Sequence, residues 1–127
     1  MLPGTQSTTR EIVLKADPNI PVAPGAGVIL SIDDVERPYS FANPAGDDWI
    51  FYLREVPDGE FSAWLNAKDE GDEIDVVSPF HFFEIEPSEH AYYIATGVGI
   101  APFLSALRTF DTPPKRVLYG ARTVDDL

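Results

Sequence analysis

The sequence predicts a mainly β protein that continues into a short α/β portion. Up to about residue 88, segments rich in β-branched and aromatic residues alternate with turn-forming clusters such as Asp17-Pro18-Asn19. Beyond that point, two apolar runs flank one segment with helical spacing, which is typical of a β-α-β unit. We therefore expect a six-stranded antiparallel barrel with one capping helix over residues 1–88. Residues 89–127 would form the N-terminal part of an α/β domain.

The barrel prediction depends on six short segments that favour strands. They span residues 10–16, 27–32, 35–43, 48–56, 73–78 and 82–85. Several short strands joined by tight turns indicate a small antiparallel barrel. Between the fourth and fifth segments, helical spacing over residues 61–68 predicts the helix, whose apolar stripe would plug the barrel. The residues at that spacing are Phe61, Trp64, Leu65 and Lys68.

The α/β portion begins with residues 91–95, a nearly continuous apolar run that indicates a strand buried on both faces. Pro102 then suits a first helical position, and one helical face is marked by Phe103, Leu104, Leu107 and Phe110. Residues 116–119 predict a second strand, parallel to the first. Because the sequence ends where a second helix would follow, we expect this portion to be incomplete. One face of its sheet would be exposed, locally unstable or covered by a partner; that face would contain Tyr92, Ile94, Val117 and Tyr119.

Composition limits the classes of function. The net charge is −12 and the sequence pI is near 4.3, which argues against a nucleic-acid or anionic-membrane partner. The chain has no cysteine, so disulfides, thiolate catalysis and cysteine-ligated clusters are excluded within it. His81 and His90 lie near turns without a second ligand at metal spacing, so we predict no metal site. No apolar run approaches membrane-spanning length and residues 1–9 are polar, so we expect a cytoplasmic protein.

Residues Arg37-Pro38-Tyr39-Ser40 combine an arginine, an aromatic ring and a hydroxyl within one predicted strand. Alternate strand residues share a face, so Arg37 and Tyr39 should point the same way. A guanidinium can donate two parallel hydrogen bonds to a phosphate, and a tyrosine ring can stack on a flat isoalloxazine ring. Ser40 can hydrogen-bond a heteroatom of that ring. The motif therefore suits a flavin nucleotide. The alternative is an ordinary barrel strand with a core tyrosine and a surface arginine.

Two glycine-containing segments suit further phosphates. Gly59-Glu60-Phe61-Ser62 places backbone N–H groups at a predicted helix start, which favours a pyrophosphate, although Ser62 could be only a helix cap. Gly97-Val98-Gly99 follows a buried strand and opens a helix, as a nucleotide-phosphate loop does. Its spacing is Gly-x-Gly-x-x-Pro, so it does not match the dinucleotide fingerprint of standard dehydrogenases.

Five stretches carry a more specific signal. They are RPYSFANP (37–44), FYLREVPDGEFSAWL (51–65), GDEIDVVSP (71–79), ATGVGIAPFLSALR (95–108) and VLYGARTVDDL (117–127). In this order they resemble the ferredoxin–NADP reductase superfamily, and most of all the short bacterial ferredoxin/flavodoxin–NADP reductases. The resemblance implies an FAD-binding barrel followed by an NADP-binding portion, in an enzyme that moves electrons between NADPH and a one-electron carrier. A reductase component for an oxygenase or other acceptor stays open, as does a flavin-binding module that is inactive on its own.

For the flavin, the resemblance implies that Arg37 holds the FAD phosphates and Tyr39 stacks on the ring. Ser40 would be the catalytic residue, close to the reactive flavin N5, and Pro38 completes the motif. The adenosine and ribityl side would be lined by Tyr52, Leu53, Arg54 and Glu55. The pyrophosphate would receive backbone amides from Glu60, Phe61 and Ser62.

For NADP(H), the substrate, the resemblance places Thr96 at the junction of flavin and nicotinamide, with Gly97 and Gly99 allowing close approach. Ala121 and Arg122 would touch the NADP phosphates. The expected partner is ferredoxin or flavodoxin, and a full-length form would be a monomer. A surface that docks an acidic ferredoxin should be basic, whereas this chain is acidic, most of all over residues 47–75. That stretch is either a solvated face or a docking patch for a basic partner.

The chain departs from the family in three places. His81 stands where the family commonly has glycine, and Pro24-Gly25-Ala26 replaces the usual Pro-Gly-Gln. The family's later NADP-domain strands and its basic residues for the 2′-phosphate do not occur within these 127 residues. We therefore expect the 127-residue polypeptide alone to be a poor reductase.

Overall fold

The computed structural model describes residues 8–32, 34–55, 63 and 67–120. Within them, the protein is mainly β, with one α-helix of several turns. The strands are β1 (Thr8–Lys15), β2 (Ala26–Ile32), β3 (Val35–Ser40), β4 (Asp48–Glu55), β5 (Asp75–His81), β6 (Tyr92–Thr96) and β7 (Arg116–Gly120). A 3-10 turn (Gly97–Ile100) leads into helix α1 (Ala101–Thr109).

The strands form three small sheets. β1 pairs antiparallel with β4, from Thr8 opposite Glu55 to Lys15 opposite Asp48. β2 is the central strand of the second sheet, with β3 on one side and β5 on the other, both antiparallel. β6 and β7 are parallel and are connected through α1, so the predicted β-α-β unit is confirmed.

The main core lies between the first two sheets. Its buried residues are Ala26, Val28, Leu30, Phe41, Trp49 and Phe51. The Phe41 ring lies 5.4 Å from the Trp49 ring and 5.5 Å from the Phe51 ring, measured between centroids. These separations are typical of packed aromatic pairs. Each sheet therefore buries its apolar face against the other.

Residues 41–43, the junction segment, connect the two sheets. The backbone N–H of Phe41 donates to the carbonyl of Ala26 on β2 (3.0 Å), and that of Ala42 donates to the carbonyl of Ile50 on β4 (2.9 Å). The Asn43 side chain makes two further hydrogen bonds to the start of β4, each 2.9 Å long. The segment is therefore held from both sides.

The six-stranded barrel is not confirmed. The described residues before β6 form five strands in two sheets that do not close into a barrel. The predicted strand at residues 82–85 is wrong, because β5 continues through Pro79 to His81 and the chain then leaves the sheet. β5 lies at a sheet edge, where a proline costs no ladder bond. The backbone N–H groups of Phe82 and Phe83 instead donate hydrogen bonds to the Gly25 carbonyl, at 2.7 and 3.3 Å.

The predicted capping helix falls mostly outside the described residues. Ala63 is helical, whereas Ala67 lies in a turn and Lys68 is not helical. Of the four residues predicted at helical spacing, Lys68 is not in the helix, and the other three lie outside the described residues. Within the described part of the chain, no helix combines the length and apolar character needed to cross a membrane.

The small parallel sheet has one covered face and one exposed face. Tyr93 and Ala95 are buried, while Tyr92, Ile94 and Leu118 are 53%, 66% and 51% exposed. The predicted exposure is confirmed for Tyr92, Ile94 and Val117, which is 40% exposed, whereas Tyr119 is half-buried. The prediction that these four residues share one face is wrong. The parallel register sets Val117 beside Tyr93 and Leu118 beside Ile94. Val117 and Tyr119 therefore share the face of Tyr93 and Ala95, and Leu118 takes their place on the exposed face.

Candidate functional site

The Arg37–Ser40 motif predicted to hold a flavin lies on β3, at an edge of its sheet. Arg37 and Pro38 are exposed, and Tyr39 and Ser40 are half-buried. One guanidinium N–H of Arg37 (Nη1) donates to the neighbouring carbonyl of Glu36 at 2.8 Å. The Tyr39 ring lies 6.2 Å from the Phe51 ring, at the margin of the core. The strand therefore presents a charged group beside a partly sheltered ring.

The Tyr39 phenol is held in its neutral form. Burial raises its pKa to about 12, and the positive charge of Arg37 opposes this in part. The influence of Arg37 agrees with the prediction that the two side chains share a face. At neutral pH the ring therefore carries no charge and keeps its O–H donor.

β3 and β4 approach one another without forming a continuous ladder. They are joined where the N–H of Ala42 donates to the carbonyl of Ile50 at 2.9 Å. Towards Arg37 on β3 and Arg54 on β4, the described residues show no paired ladder between the two strands. The two segments predicted to contact FAD are thus adjacent, and the space between two strand edges offers backbone donors and acceptors.

The β4 residues of the predicted site differ in accessibility. Tyr52 and Arg54 are half-buried, and the Tyr52 hydroxyl donates to Glu11 Oε2 at 3.1 Å. Leu53 is only 5% exposed and packs in the interior, so its contact with a nucleotide would have to be through its backbone. Glu55 ends β4 and pairs with Thr8.

The glycine turn after β6 has open surroundings. Thr96 is exposed at the end of β6, and Gly97 has a φ of +54°, which favours glycine. Among the described residues, no heavy atom lies within 4 Å of a Cβ placed on Gly97 or Gly99. Pro102 lies in the first turn of α1, as predicted, and no side chain caps that helix start. The open space therefore lies beside the turn, while Ala101 and Pro102 at the helix start are buried.

A cleft of about 500 Å³ lies between the β1–β4 sheet and the β-α-β unit. Its walls come from five elements: Thr9, Glu11, Tyr52, Gly97, Val98, Ile100, Leu104, Leu107, Val117 and Tyr119. The lining is mostly apolar, and its one ionisable carboxylate is Glu11, with no Lys or Arg among these residues. The volume is within the range of small-molecule sites. Tyr52 and Gly97, predicted to serve different nucleotides, therefore face the same space.

Sequence reasoning missed most of this lining. Thr9 and Glu11 reach the cleft because they lie opposite Arg54 and Tyr52 in the β1–β4 ladder. Alternation along residues 8–15 would have shown that Thr9 and Glu11 share a face, but not which strand pairs with them. Five predicted site residues are outside the described residues and stay predictions: Glu60, Phe61, Ser62, Ala121 and Arg122. The described part of the chain contains no group of three or more His, Asp or Glu side chains placed to hold a metal.

No known protein-family model matches the chain. The flavodoxin/ferredoxin–NADP reductase of Escherichia coli (strain K12) is 40% identical over 87 residues, which are 65% of this chain and 35% of that protein. The 2-halobenzoate 1,2-dioxygenase electron transfer component of Burkholderia cepacia is 32% identical over 95% of this chain and 40% of that protein. This chain therefore spans less than half the length of either relative.

A solved structure shows the same fold. The ferredoxin NADP+ reductase from Neisseria gonorrhoeae, with bound FAD and NADP, matches with a TM-score of 0.74 at 19% identity. The match covers 94% of this chain and 54% of that one. The sequence similarities to these reductases and the fold shared with the solved structure support the same assignment. The chain belongs to the ferredoxin/flavodoxin–NADP reductase superfamily and corresponds to part of its members' length.

Proposed function

We propose that this chain forms the FAD-binding part and the first NADP-binding element of a reductase that moves electrons between NADPH and a one-electron carrier. The observation that carries the proposal is the cleft, where Tyr52 of β4 and Gly97 of the turn after β6 line one cavity. Transfer between two nucleotides requires that their reacting rings meet in one place. The proposed activity is that of the whole protein, of which the chain represents a part.

The β3 motif does not line the cleft, but its residues suit a flavin nucleotide bound beside β4. Arg37 is exposed and makes one hydrogen bond to a neighbouring carbonyl among the described residues, which leaves further N–H donors for a phosphate. Tyr39 offers a neutral ring partly sheltered from water. Ser40 is half-buried one residue before the junction segment and could donate to a ring heteroatom. These features support FAD as the nucleotide held by β3 and β4.

The cleft itself suits an uncharged ring rather than a phosphate. None of its lining residues is cationic, and Glu11 places a carboxylate in the wall. A phosphate would lose its water there without gaining a positive partner. The apolar lining and the two tyrosines instead suit a flat heteroaromatic ring. The phosphates would lie outside, at Arg37 for FAD and beside the open glycine turn for NADP.

The open turn supports the second nucleotide. Gly99 leaves space beside the turn that leads into α1, where the dipole of the helix favours an anion. The donors would have to come from the turn, because the Ala101 N–H is bonded to the Val98 carbonyl and Pro102 has no N–H. Bound FAD would supply the electron-transfer chemistry, accepting electrons in a pair and passing them on singly. The residues of this chain would position the flavin and nicotinamide rings relative to one another, and the apolar wall of the cleft would exclude water. Tyr39 would be uncharged. No side chain is required as a nucleophile.

The proposal is tested by the visible absorbance of the purified chain after incubation with FAD. We expect the two bands of oxidised flavin to remain after desalting. Arg37→Ala should remove a charge-assisted contact and weaken FAD binding by roughly 10- to 100-fold, the equivalent of about 1.5–3 kcal/mol. Arg116→Ala, which removes an exposed arginine from β7, should leave FAD affinity unchanged. A parent chain without flavin bands, or equal affinity in Arg37→Ala, would contradict the proposal.

A second candidate is a reductase component that serves an oxygenase. It is favoured by the similarity to the dioxygenase electron transfer component, which covers 95% of this chain, and by the net charge of −12, which opposes docking of an acidic ferredoxin. Electron transfer from the whole protein to ferredoxin, flavodoxin and an oxygenase component, measured over a range of salt concentrations, separates the candidates. Rates that fall with salt for one acceptor alone identify that acceptor as the docked partner.

A further inference from the structure

Helix α1 is tied to the β sheets by two polar side chains on one of its faces. Ser105 is fully buried, and its hydroxyl donates to the carbonyl of Asn43 at 3.4 Å. One turn later, Nη1 of Arg108 donates to the carbonyl of Ala42 at 2.9 Å. Residues three positions apart on a helix are neighbours, so the two donors act on the same side. Their acceptors are consecutive carbonyls of the junction segment.

The junction segment is a firm anchor. Its backbone bonds to β2 and to β4, and the Asn43 side chain adds two bonds to the start of β4. It also follows Ser40 directly along the chain, so it moves together with the β3 motif. A helix fixed to this segment is thereby fixed relative to Arg37 and Tyr39.

The other end of the helix carries the glycine turn. Gly97–Ile100 runs directly into Ala101, and the Phe103 ring stacks on Tyr93 at 4.8 Å and lies 6.0 Å from Phe83. From Gly99 to Arg108 the helix rise amounts to roughly 13 Å. A rotation of about 5° around the anchored end would therefore shift the turn by about 1 Å. A displacement of that size can cost about 10²-fold in a transfer reaction.

We propose that Arg108 and Ser105 are positioning residues that set the place of the glycine turn relative to the Arg37–Ser40 strand. They touch neither nucleotide in this proposal; they act through the junction segment and the rigid helix. The consequence for nucleotide approach rests on the function proposed above. The tether itself depends only on the contacts of the described residues.

The tether is tested by hydrogen exchange of the full chain. Arg108→Ala should raise the amide exchange rates of residues 97–104 by roughly two- to tenfold, as expected for the loss of one hydrogen bond. Rates in β2 and β5 should stay at their parent values. Arg108→Lys retains a donor and should restore part of the protection, and Ser105→Ala should produce a smaller change in the same direction. Arg116→Ala is the control for loss of an arginine charge in the same unit.

A spectroscopic measurement connects the tether with the site. The FAD-loaded whole protein is titrated with NADP+, and the change in flavin absorbance is followed. Arg108→Ala should keep parent FAD occupancy but require several-fold more NADP+ for the same change, with partial rescue in Arg108→Lys. A parent chain that fails to bind FAD would refute the proposed function, while hydrogen exchange would still decide on the tether. Parent-like exchange at residues 97–104 in Arg108→Ala, or an equal rise throughout β2 and β5, would overturn the positioning role.

Discussion

Two glycine turns of this protein are similar in sequence but opposite in their surroundings. In the first, a Cβ on Gly25 would collide with the Phe83 carbonyl, and a Cβ on Gly27 would collide with the Tyr39 carbonyl. In the second, a Cβ on Gly97 or Gly99 would meet no atom within 4 Å. The first pair is therefore required by the packed protein. The space beside the second pair is left open by the protein, as a ligand site requires.

The difference separates a structural role from a binding role at each glycine. Gly25 also has a φ of +90°, which a side chain would strain, whereas Gly99 is not in the left-handed region. None of the residues that the structure describes thus prevents a side chain at position 99. Open surroundings alone do not indicate function, because Gly46 is equally open in a loop. At Gly99 they indicate function together with its position between β6 and α1.

The largest expected effect follows from filling the first turn. Gly25→Ala introduces both backbone strain and a clash with the Phe83 backbone, which lacks the freedom of a side chain to move away. We expect a loss of about 3 kcal/mol or more in the free energy of unfolding. Chemical denaturation followed by Trp49 fluorescence measures it, since Trp49 is buried in the core. A loss below about 1 kcal/mol would mean that the segment after β5 is not packed against this turn.

Filling the second turn should affect binding instead of folding. Gly99→Val places a β-branched side chain in the open space where the dinucleotide would approach. On the FAD-loaded protein, we expect NADP+ affinity to fall at least about tenfold with FAD occupancy unchanged. The matched control is Gly46→Val, because Gly46 is equally open but lies in the β3–β4 loop. Joint loss of FAD and NADP+ binding, in proportion to unfolding, would assign Gly99 a structural role.

The two glycine turns also show which features of the fold could be predicted from the sequence and which could not. The strand that contains residues 37–40, the strand that precedes the second glycine turn, the helix start near Pro102 and the β-α-β unit depend on local pattern, and they were predicted. The opposite surroundings of Gly25 and Gly99 depend on chain segments far away, such as Phe82 and Phe83 crossing the first turn. No local pattern reports such crossings.

The same limit explains the errors in the sheets and in the site. β5 passes through Pro79 because it is an edge strand, and its position in the sheet is a property of the whole fold. Glu11 borders the cleft because β1 pairs with β4, some forty residues away along the chain. The exposed residue Leu118 was missed because the parallel register between β6 and β7 is not encoded in either strand alone.

A smaller effect is expected on the stability of the folded protein at high pH. It concerns Tyr39, whose backbone carbonyl lies against Gly27 in the first, packed glycine turn. Burial raises the Tyr39 pKa to about 12, whereas an unfolded tyrosine ionises near 10. Below pH 10 the Tyr39 phenol keeps its proton in both the folded and the unfolded state. The burial of Tyr39 therefore makes its full contribution to the free energy of unfolding. Between pH 10 and 12 the unfolded state loses its proton first, so stability falls as pH rises. Burial also raises the Tyr93 pKa, so part of this slope belongs to Tyr93.

Tyr39→Phe isolates the contribution of Tyr39 to the fall in stability between pH 10 and 12. The variant has no phenol at this position, so its melting temperature should fall less steeply between pH 10 and 12 than that of the parent protein. The measurement is thermal unfolding at a series of pH values in matched salt. A slope identical to the parent's would show that the Tyr39 phenol is not sheltered at the margin of the core.

The smallest expected effect is the stability change of Gly99→Ala. A Cβ at this position meets no atom within 4 Å and the backbone needs no left-handed conformation, so the folded state should accept the methyl group without strain. Alanine also restricts the unfolded chain and favours the helical region in which residues 97–109 lie. We therefore expect the free energy of unfolding to stay constant or to rise by up to about 1 kcal/mol, measured by chemical denaturation beside Gly46→Ala. A loss of more than about 1 kcal/mol would show that the space beside the second turn is needed by the folded protein, and the contrast with Gly25 would then fail.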